Sequence, residues 1–171
     1  MRLEVENLAA RDSSWAHTYA LGELDLNEDG ARLVSPVETA GRLRRKPAGV
    51  SLQGAGKAQV EALCDRCLRA VPFALEFPLE AVYVTLEEYA ASEREEVGLD
   101  DLGLMVYDGA AIDLDELARG EILLALPSRI LCREDCRGLC PLCGAPLNEN
   151  PCACAETTVD PRWAALKNFK A

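Results

Sequence analysis

The sequence is poor in the side chains on which most enzyme active sites depend. Its 171 residues include a single histidine, His17, and only 5% aromatic residues. One histidine argues against a serine hydrolase triad and against a zinc hydrolase built on several histidines. No apolar run approaches the about 18 residues that a membrane-spanning helix needs. The first residues alternate charged and apolar side chains, unlike a signal peptide. We therefore expect a cytoplasmic protein that is not an enzyme, takes no small-molecule substrate and does not enter a membrane.

The charge is acidic overall but unevenly distributed. The net charge is −11, and residues 76–128 carry fourteen acidic and two basic side chains. This acidic middle is either a solvated surface or a surface that docks a basic protein. One stretch is concentrated in cations: Arg42, Arg44, Arg45 and Lys46. It is either an exposed strand end or a patch that contacts phosphates of a nucleic acid.

Two neighbouring segments alternate apolar and polar residues, which is typical of half-buried strands. The first runs from Val50 to Cys64 and the second from Phe73 to Tyr83, so they predict a hairpin with its tip at residues 64–68. The first segment exceeds the usual strand length, and we expect a bulge or bend at Gly54 or Gly56. A weaker strand is predicted over residues 33–45. Residues 85–111 are interpreted as an acidic loop with room for one short helix.

A helix is predicted after Asp113, which with Glu116 resembles a capping box, and Pro127 ends it. The sum is an α+β fold: an antiparallel β-sheet or partial barrel with one packing helix, followed by a C-terminal zinc-knuckle module. We place the β-rich domain at residues 1–128 and the cysteine-rich module at residues 129–171. A short helix is predicted to begin at Asp160-Pro161.

Cysteine is the chemistry-bearing residue of this chain. The eight cysteines form four close pairs: Cys64 and Cys67, Cys132 and Cys136, Cys140 and Cys143, Cys152 and Cys154. In a reducing compartment, thiolates two to four residues apart indicate metal ligation, and eight of them make two tetrahedral sets. The most specific segment is Cys140-Pro141-Leu142-Cys143-Gly144, where a tight turn aims backbone N–H groups at the thiolates. Disulfides, a redox-active thiol pair and an iron–sulfur cluster remain as alternatives to two structural zinc ions.

The chain lengths between the pairs favour one grouping of the ligands. Cys140, Cys143, Cys152 and Cys154 are predicted to form one site, because the eight residues between Cys143 and Cys152 can loop back. The hairpin-tip cysteines would then share an ion with Cys132 and Cys136. The alternative places Cys132, Cys136, Cys140 and Cys143 around one ion.

Several motifs resemble the bacterial YceD family, the large ribosomal RNA subunit accumulation proteins. They include Cys64-x-Arg66-Cys67-Leu68, the segment Ile122–Pro127, the run from Cys132 to Gly144, Leu147-Asn148, Cys152-x-Cys154 and Asp160-Pro161-Arg162. The resemblance covers residues 33–168. It implies a cytosolic, metal-binding factor that large-subunit rRNA needs for normal accumulation, with no established catalytic activity. Some relatives lack the distal cysteines, which implies that the C-terminal site is an accessory module.

The expected partner is large-subunit rRNA or a pre-ribosomal particle, reached directly or through a basic ribosomal protein. For direct contact we single out cations of the basic stretch and of the cysteine-rich loops: Arg42, Arg44, Arg45, Lys46, Arg66 and Arg137. Two other functions remain open: a redox sensor based on thiols and zinc, and a zinc-stapled adapter that does not act on the ribosome. Labile, exposed thiolates would favour the sensor.

Overall fold

The structure is a computed structural model that describes residues 1–5, 12–46, 49–91, 104–149, 151–154 and residue 162. The described elements, in chain order, are β1 (Arg2–Glu4), β2 (Asp12–Tyr19), β3 (Ala31–Leu33), β4 (Val37–Lys46), β5 (Gly49–Leu63), β6 (Ala70–Thr85), α1 (Leu86–Ala91), β7 (Leu104–Tyr107), β8 (Ala111–Asp113) and α2 (Leu114–Ala125). No helix among them is long and apolar enough to cross a membrane.

A long hairpin formed by β5 and β6 is the backbone of the fold, as the alternating sequence predicted. The two strands pair without interruption from Val50 opposite Tyr83 to Leu63 opposite Ala70. The apolar side chains of β6, such as Phe77 and Leu79, lie on the buried face. The hairpin tip therefore falls at residues 64–69, where the two cysteines of the first pair lie.

Of the bulge or bend predicted at Gly54 or Gly56, the bulge is wrong, because the register of β5 is continuous on both sides, and the bend stays a prediction. The glycines instead allow close approach. A Cβ on Gly54 would lie 2.5 Å from the carbonyl oxygen of Ala40, and one on Gly56 would lie 2.2 Å from the Phe77 ring. These residues are small because the neighbouring strand and an aromatic ring occupy the space of a side chain.

The main sheet has the order β2-β4-β5-β6-β7, and β3 also pairs with β5. The strand predicted over residues 33–45 is two strands, β3 and β4. Residues 85–111, interpreted as a loop with room for one short helix, contain such a helix, α1, but also the unpredicted strand β7, which pairs with β6 in parallel. The sheet is thus mixed at one edge, and its described strands do not close into a barrel. A separate two-stranded sheet joins β1 to β8.

Helix α2 packs its apolar side on the sheet. Asp113 caps the helix, as the sequence predicted, but its side chain accepts from the backbone N–H of Asp115 (3.0 Å) rather than from that of Glu116, as a capping box would require. Leu114, Leu117 and Ile122 are buried against the sheet core. The α+β fold class is confirmed. The helix predicted from Asp160 lies outside the described residues, apart from Arg162, and the boundary between residues 128 and 129 stays a prediction.

Candidate metal centres

Two of the cysteine pairs lie in turns with the same backbone geometry. In the first, the Cys64 N–H donates to the Arg69 carbonyl (2.8 Å) and the Cys64 carbonyl accepts from the Leu68 N–H (2.9 Å). In the second, Cys140 makes the equivalent bonds with Ala145 and Gly144, both at 2.9 Å. We call these turns knuckle 1 (residues 64–69) and knuckle 2 (residues 140–145).

Knuckle 1 and knuckle 2 are also alike in the residues that flank each turn. Leu63 pairs with Ala70 at the end of the long hairpin, and Leu139 forms an isolated antiparallel bridge with Pro146. In each case the paired residues immediately flank the turn. The fifth position of each knuckle has a positive φ, 57° at Leu68 and 70° at Gly144. The second knuckle thus repeats the first on a much shorter hairpin.

The structure gathers the eight thiols into two groups of four. Site 1 consists of Cys64, Cys67, Cys132 and Cys136, and site 2 consists of Cys140, Cys143, Cys152 and Cys154. In each group all four Sγ atoms lie within 4.8 Å of one another. This is the grouping that the chain lengths favoured, and the alternative of Cys132, Cys136, Cys140 and Cys143 around one ion is not assembled.

The sulfur spacing in site 1 fits a single tetrahedral ion. Cys64 Sγ lies 3.8 Å from Cys136 Sγ, and Cys67 Sγ lies 3.6 Å from Cys132 Sγ. An ion with four metal–sulfur bonds of about 2.3 Å has sulfur–sulfur edges of about 3.8 Å. A disulfide would need about 2.05 Å between sulfurs. A four-iron cluster is wider than one ion, so its cysteine sulfurs stand farther apart.

Knuckle 1 holds the segment that brings the other two thiols of site 1. The Asp65 N–H donates to the Ile130 carbonyl (2.8 Å), and Asp65 Oδ2 accepts from the Ile130 N–H (2.7 Å). Arg66 Nη1 donates to the carbonyl oxygen of Cys136 (2.6 Å). These bonds tie residues 130–136 to the hairpin tip, which explains how thiols more than sixty residues apart meet.

Asn148 is a residue of site 1 to which sequence reasoning assigned no role. Its Nδ2 donates to Cys136 Sγ (3.1 Å), while its Oδ1 accepts from the Arg137 N–H (2.8 Å) and from Arg133 Nη2 (3.0 Å). The amide N–H lowers the pKa of Cys136 by stabilising its thiolate. Leu147-Asn148 was among the family-like motifs, but an asparagine in the loop between two cysteine pairs carries no ligand signal of its own, and Asn150 lies between the same two pairs.

Backbone N–H groups favour the thiolate form of the first cysteine in each knuckle. Burial alone would raise the pKa of Cys64, but N–H groups led by that of Cys132 outweigh it and lower the pKa to about 6. The N–H groups of Cys143 and Leu142 lower the pKa of Cys140 to about 6. Such turns present donors where a metal-bound thiolate carries negative charge.

Other thiols of the same sites are held neutral by their neighbours. Burial, together with the adjacent thiols, raises the pKa of Cys132 to about 12. The nearby Cys143 thiol, followed by burial, raises the pKa of Cys154 to about 12. Four thiolates this close repel one another, so full ionisation requires a cation among them.

The cations predicted to contact nucleic acid do not form one surface. Lys46 pairs with Gly49 at the beginning of β5, whereas Cys64 follows the end of that strand. A strand of 15 residues, rising about 3.3 Å per residue, separates its ends by up to about 45 Å. The stretch Arg42–Lys46 therefore lies at the opposite end of β5 from Arg66.

Part of the basic stretch is already neutralised. Asp12 Oδ1 accepts from Arg44 Nε (2.8 Å), and Arg42 adds to the lowering of the Asp12 pKa that Arg44 causes. Near the cysteines, Arg69 forms an ion pair with Glu149. The Arg137 side chain is exposed beside site 1.

Fold and site together define an α+β protein with two four-cysteine groups that could hold metal ions. A family model described as large ribosomal RNA subunit accumulation protein YceD matches residues 52–170. The chain belongs to the YceD family.

The relatives are similar in sequence but carry no functional description. An uncharacterized protein of Mycobacterium tuberculosis is 34% identical over 125 residues, covering 73% of this chain and 58% of the relative. The uncharacterized protein YlbN of Bacillus subtilis is 27% identical over 167 residues, covering 97% of this chain and 92% of YlbN. The chain therefore spans less than two thirds of the mycobacterial relative. No solved structure matches it.

Proposed function

We propose that this chain is a non-catalytic zinc-binding factor that supports accumulation or assembly of the large ribosomal subunit and its RNA. One observation carries the proposal. The chain has two groups of four thiols whose sulfur atoms lie within 4.8 Å of one another in each group, and it belongs to a family described as large ribosomal RNA subunit accumulation proteins. Both candidate ligand sets contain cysteine alone. A tetrahedral four-thiolate set suits zinc and is typical of closed structural sites, whereas catalytic zinc keeps an open position.

In this proposal zinc at site 1 fixes the hairpin tip to the C-terminal module, and zinc at site 2 fixes the shape of that module. A small metal-stapled module presents loops rigidly without a large apolar core. Because sites of free thiolates persist where disulfides are kept reduced, we place the protein in the cytoplasm. Its partner would be large-subunit rRNA or a pre-ribosomal particle.

For RNA contact, the loops around site 1 and the basic stretch on β4 are two candidate surfaces. Arg137 is exposed at the first; at the second Arg44 is paired with Asp12, while the other three cations are exposed. We choose Arg137 for the test because it lies beside the metal site. Arg66 supports site 1 through the Cys136 carbonyl, so its contribution to RNA contact would be secondary. The alternative remains docking of a basic ribosomal protein by acidic residues, many of which lie outside the described residues.

Copurification with a tagged full-length chain tests the proposal. We expect pre-large-subunit particles to copurify with the unsubstituted protein. Arg137→Glu should weaken this association and reduce its salt dependence, the slope of log K against log salt, by about 0.7 per lost phosphate contact on a single strand and about 0.9 on a duplex. Lys57→Glu is the matched control, because Lys57 is an exposed cation on the sheet that pairs with Glu76. Absence of ribosomal particles from the purified material would contradict the proposed function.

A redox sensor is the second candidate, and one observation favours it. Cys143 and Cys154 of site 2 are exposed, so a thiol-directed oxidant can reach them. A sensor requires that mild oxidation releases zinc from site 2 and changes partner binding. If site 2 retains zinc at the oxidant concentrations that cells experience, the sensor function is excluded and only the structural role of zinc is left.

A further inference from the structure

We infer that the two metal sites are energetically coupled, and that Asn148 is the positioning residue through which site 2 strengthens site 1. This rests on the proposed function, since both sites must hold metal ions. Asn148 belongs in sequence to the loop that joins the two cysteine pairs of site 2. Its side chain nevertheless contacts the thiols of site 1. Site 1 therefore depends on a segment whose position site 2 helps to set.

The side-chain amide of Asn148 contacts the segment from Cys132 to Arg137 at several points. Nδ2 lies 3.1 Å from Cys136 Sγ and 3.9 Å from Cys132 Sγ. Oδ1 accepts from the Arg137 N–H and from the Arg133 side chain, on either side of Cys136. The amide orientation is thus fixed from both ends, and its N–H points at sulfur.

The backbone around Asn148 is held from two directions. On one side, the Leu147 N–H donates to the Gly138 carbonyl (3.0 Å), next to the bridge between Leu139 and Pro146. On the other side, the chain continues to Cys152, the third thiol of site 2. With site 2 empty, this second anchor is lost, and residue 148 is then ordered only by the bond to Gly138 and by its own contacts with site 1, so site 1 must supply more of the ordering free energy.

Residues that hydrogen-bond metal ligands commonly change metal affinity by 10- to 100-fold when substituted. We therefore expect Asn148→Leu, which removes the polar atoms without adding charge, to weaken zinc binding at site 1 by about tenfold or more. Asn148→Asp keeps the acceptor for Arg137 and removes the donor to sulfur, so it should weaken site 1 at least as much. Glu149→Gln is the control, because that side chain contacts Arg69 and no thiol.

The coupling is tested by a double-mutant cycle on the full chain. The variants are Asn148→Leu, the pair Cys152→Ser with Cys154→Ser, and their combination. Each protein is equilibrated across a series of buffered free Zn²⁺ concentrations and pulsed with iodoacetamide. Peptide mapping then gives the free Zn²⁺ at which Cys132 and Cys136 become protected, which measures site 1 even when site 2 is present.

We expect the double substitution Cys152→Ser with Cys154→Ser to weaken zinc binding at site 1 several-fold. Once site 2 is abolished in this way, adding Asn148→Leu should weaken zinc binding at site 1 by less than a further threefold. Equal losses from Asn148→Leu in both backgrounds, or an unchanged site 1 after removal of site 2, would overturn the coupling while leaving the two zinc sites intact. An unsubstituted chain in which neither thiol set becomes protected by Zn²⁺ would instead overturn the proposed function, and the coupling with it.

Discussion

Site 1 and site 2 use the same turn but differ in what they connect and how far they are buried. In site 1, Cys64 and Cys136 are buried, and the site joins a hairpin tip to a segment far along the chain. In site 2, Cys143 and Cys154 are exposed, and all four thiols lie within one short stretch. The knuckle is a local structure, whereas burial and reach come from the sheet on which knuckle 1 is mounted.

The largest difference should appear in stability. In zinc-loaded protein, Cys67→Ser with Cys132→Ser removes a cross-link between residues 65 positions apart, which by analogy with a disulfide is worth about 4 kcal/mol. Cys143→Ser with Cys154→Ser opens a short loop worth about 3 kcal/mol, and only within the C-terminal module. We expect the first pair to lower the unfolding temperature of the β-sheet, followed by far-ultraviolet circular dichroism, far more than the second. Equal shifts would show that site 1 does not brace the sheet.

The next largest difference between the two sites should appear in the rate at which a reagent modifies their thiols. Because the thiols of site 2 include two exposed ones, we expect iodoacetamide to modify Cys143 and Cys154 at least about tenfold faster than Cys64 and Cys136 in the zinc-loaded protein. Timed quenching and peptide mapping measure these rates. Removing zinc and unfolding the chain in denaturant should bring the rates together, because burial and the neighbouring groups are then lost, and this serves as the control. Faster modification of site 1 would contradict the burial that distinguishes the sites.

A smaller effect concerns the fifth position of each knuckle. Leu68 adopts a φ of 57°, a left-handed conformation that costs a residue with a Cβ about 1 kcal/mol, while Gly144 adopts φ 70° at no such cost. We expect Leu68→Gly to stabilise the zinc-loaded protein by up to about 1 kcal/mol and Gly144→Ala to destabilise it by about as much. Denaturant unfolding measures both. If Leu68→Gly destabilises instead, packing of the half-exposed leucine outweighs its backbone strain.

Local patterns in the sequence were sufficient for the long hairpin, helix α2 and the grouping of the thiols. Alternation over residues 50–64 and 73–83 predicts β5 and β6 because one face of each strand is buried, and Asp113 marks the helix start through its cap. The cysteine grouping follows from loop length alone. The hairpin, helix α2 and site 2 depend on residues that are near one another in sequence, whereas the distant pairs of site 1 were grouped because they remain once site 2 is assigned.

Features that depend on distant partners were missed. β7 is a short strand without a clear alternation, and its pairing with β6 is set by the sheet edge rather than by its own residues. Gly54 and Gly56 break the alternating pattern, but their reason lies in Ala40 and Phe77 on neighbouring strands. Asn148 acquires its role only when the loop that carries it packs against site 1. The basic residues were grouped as one surface because of their charge, but the 15-residue strand β5 places the stretch Arg42–Lys46 at one of its ends and Arg66 at the other.

The central claim is that the two cysteine groups are two zinc sites, and metal content measures it most directly. Anaerobically purified full-length protein, examined by elemental analysis and by native mass spectrometry, should contain two zinc ions per chain. The pair Cys143→Ser with Cys154→Ser should contain one. Less than one zinc ion per unsubstituted chain, or a substantial amount of iron in its place, would contradict the account.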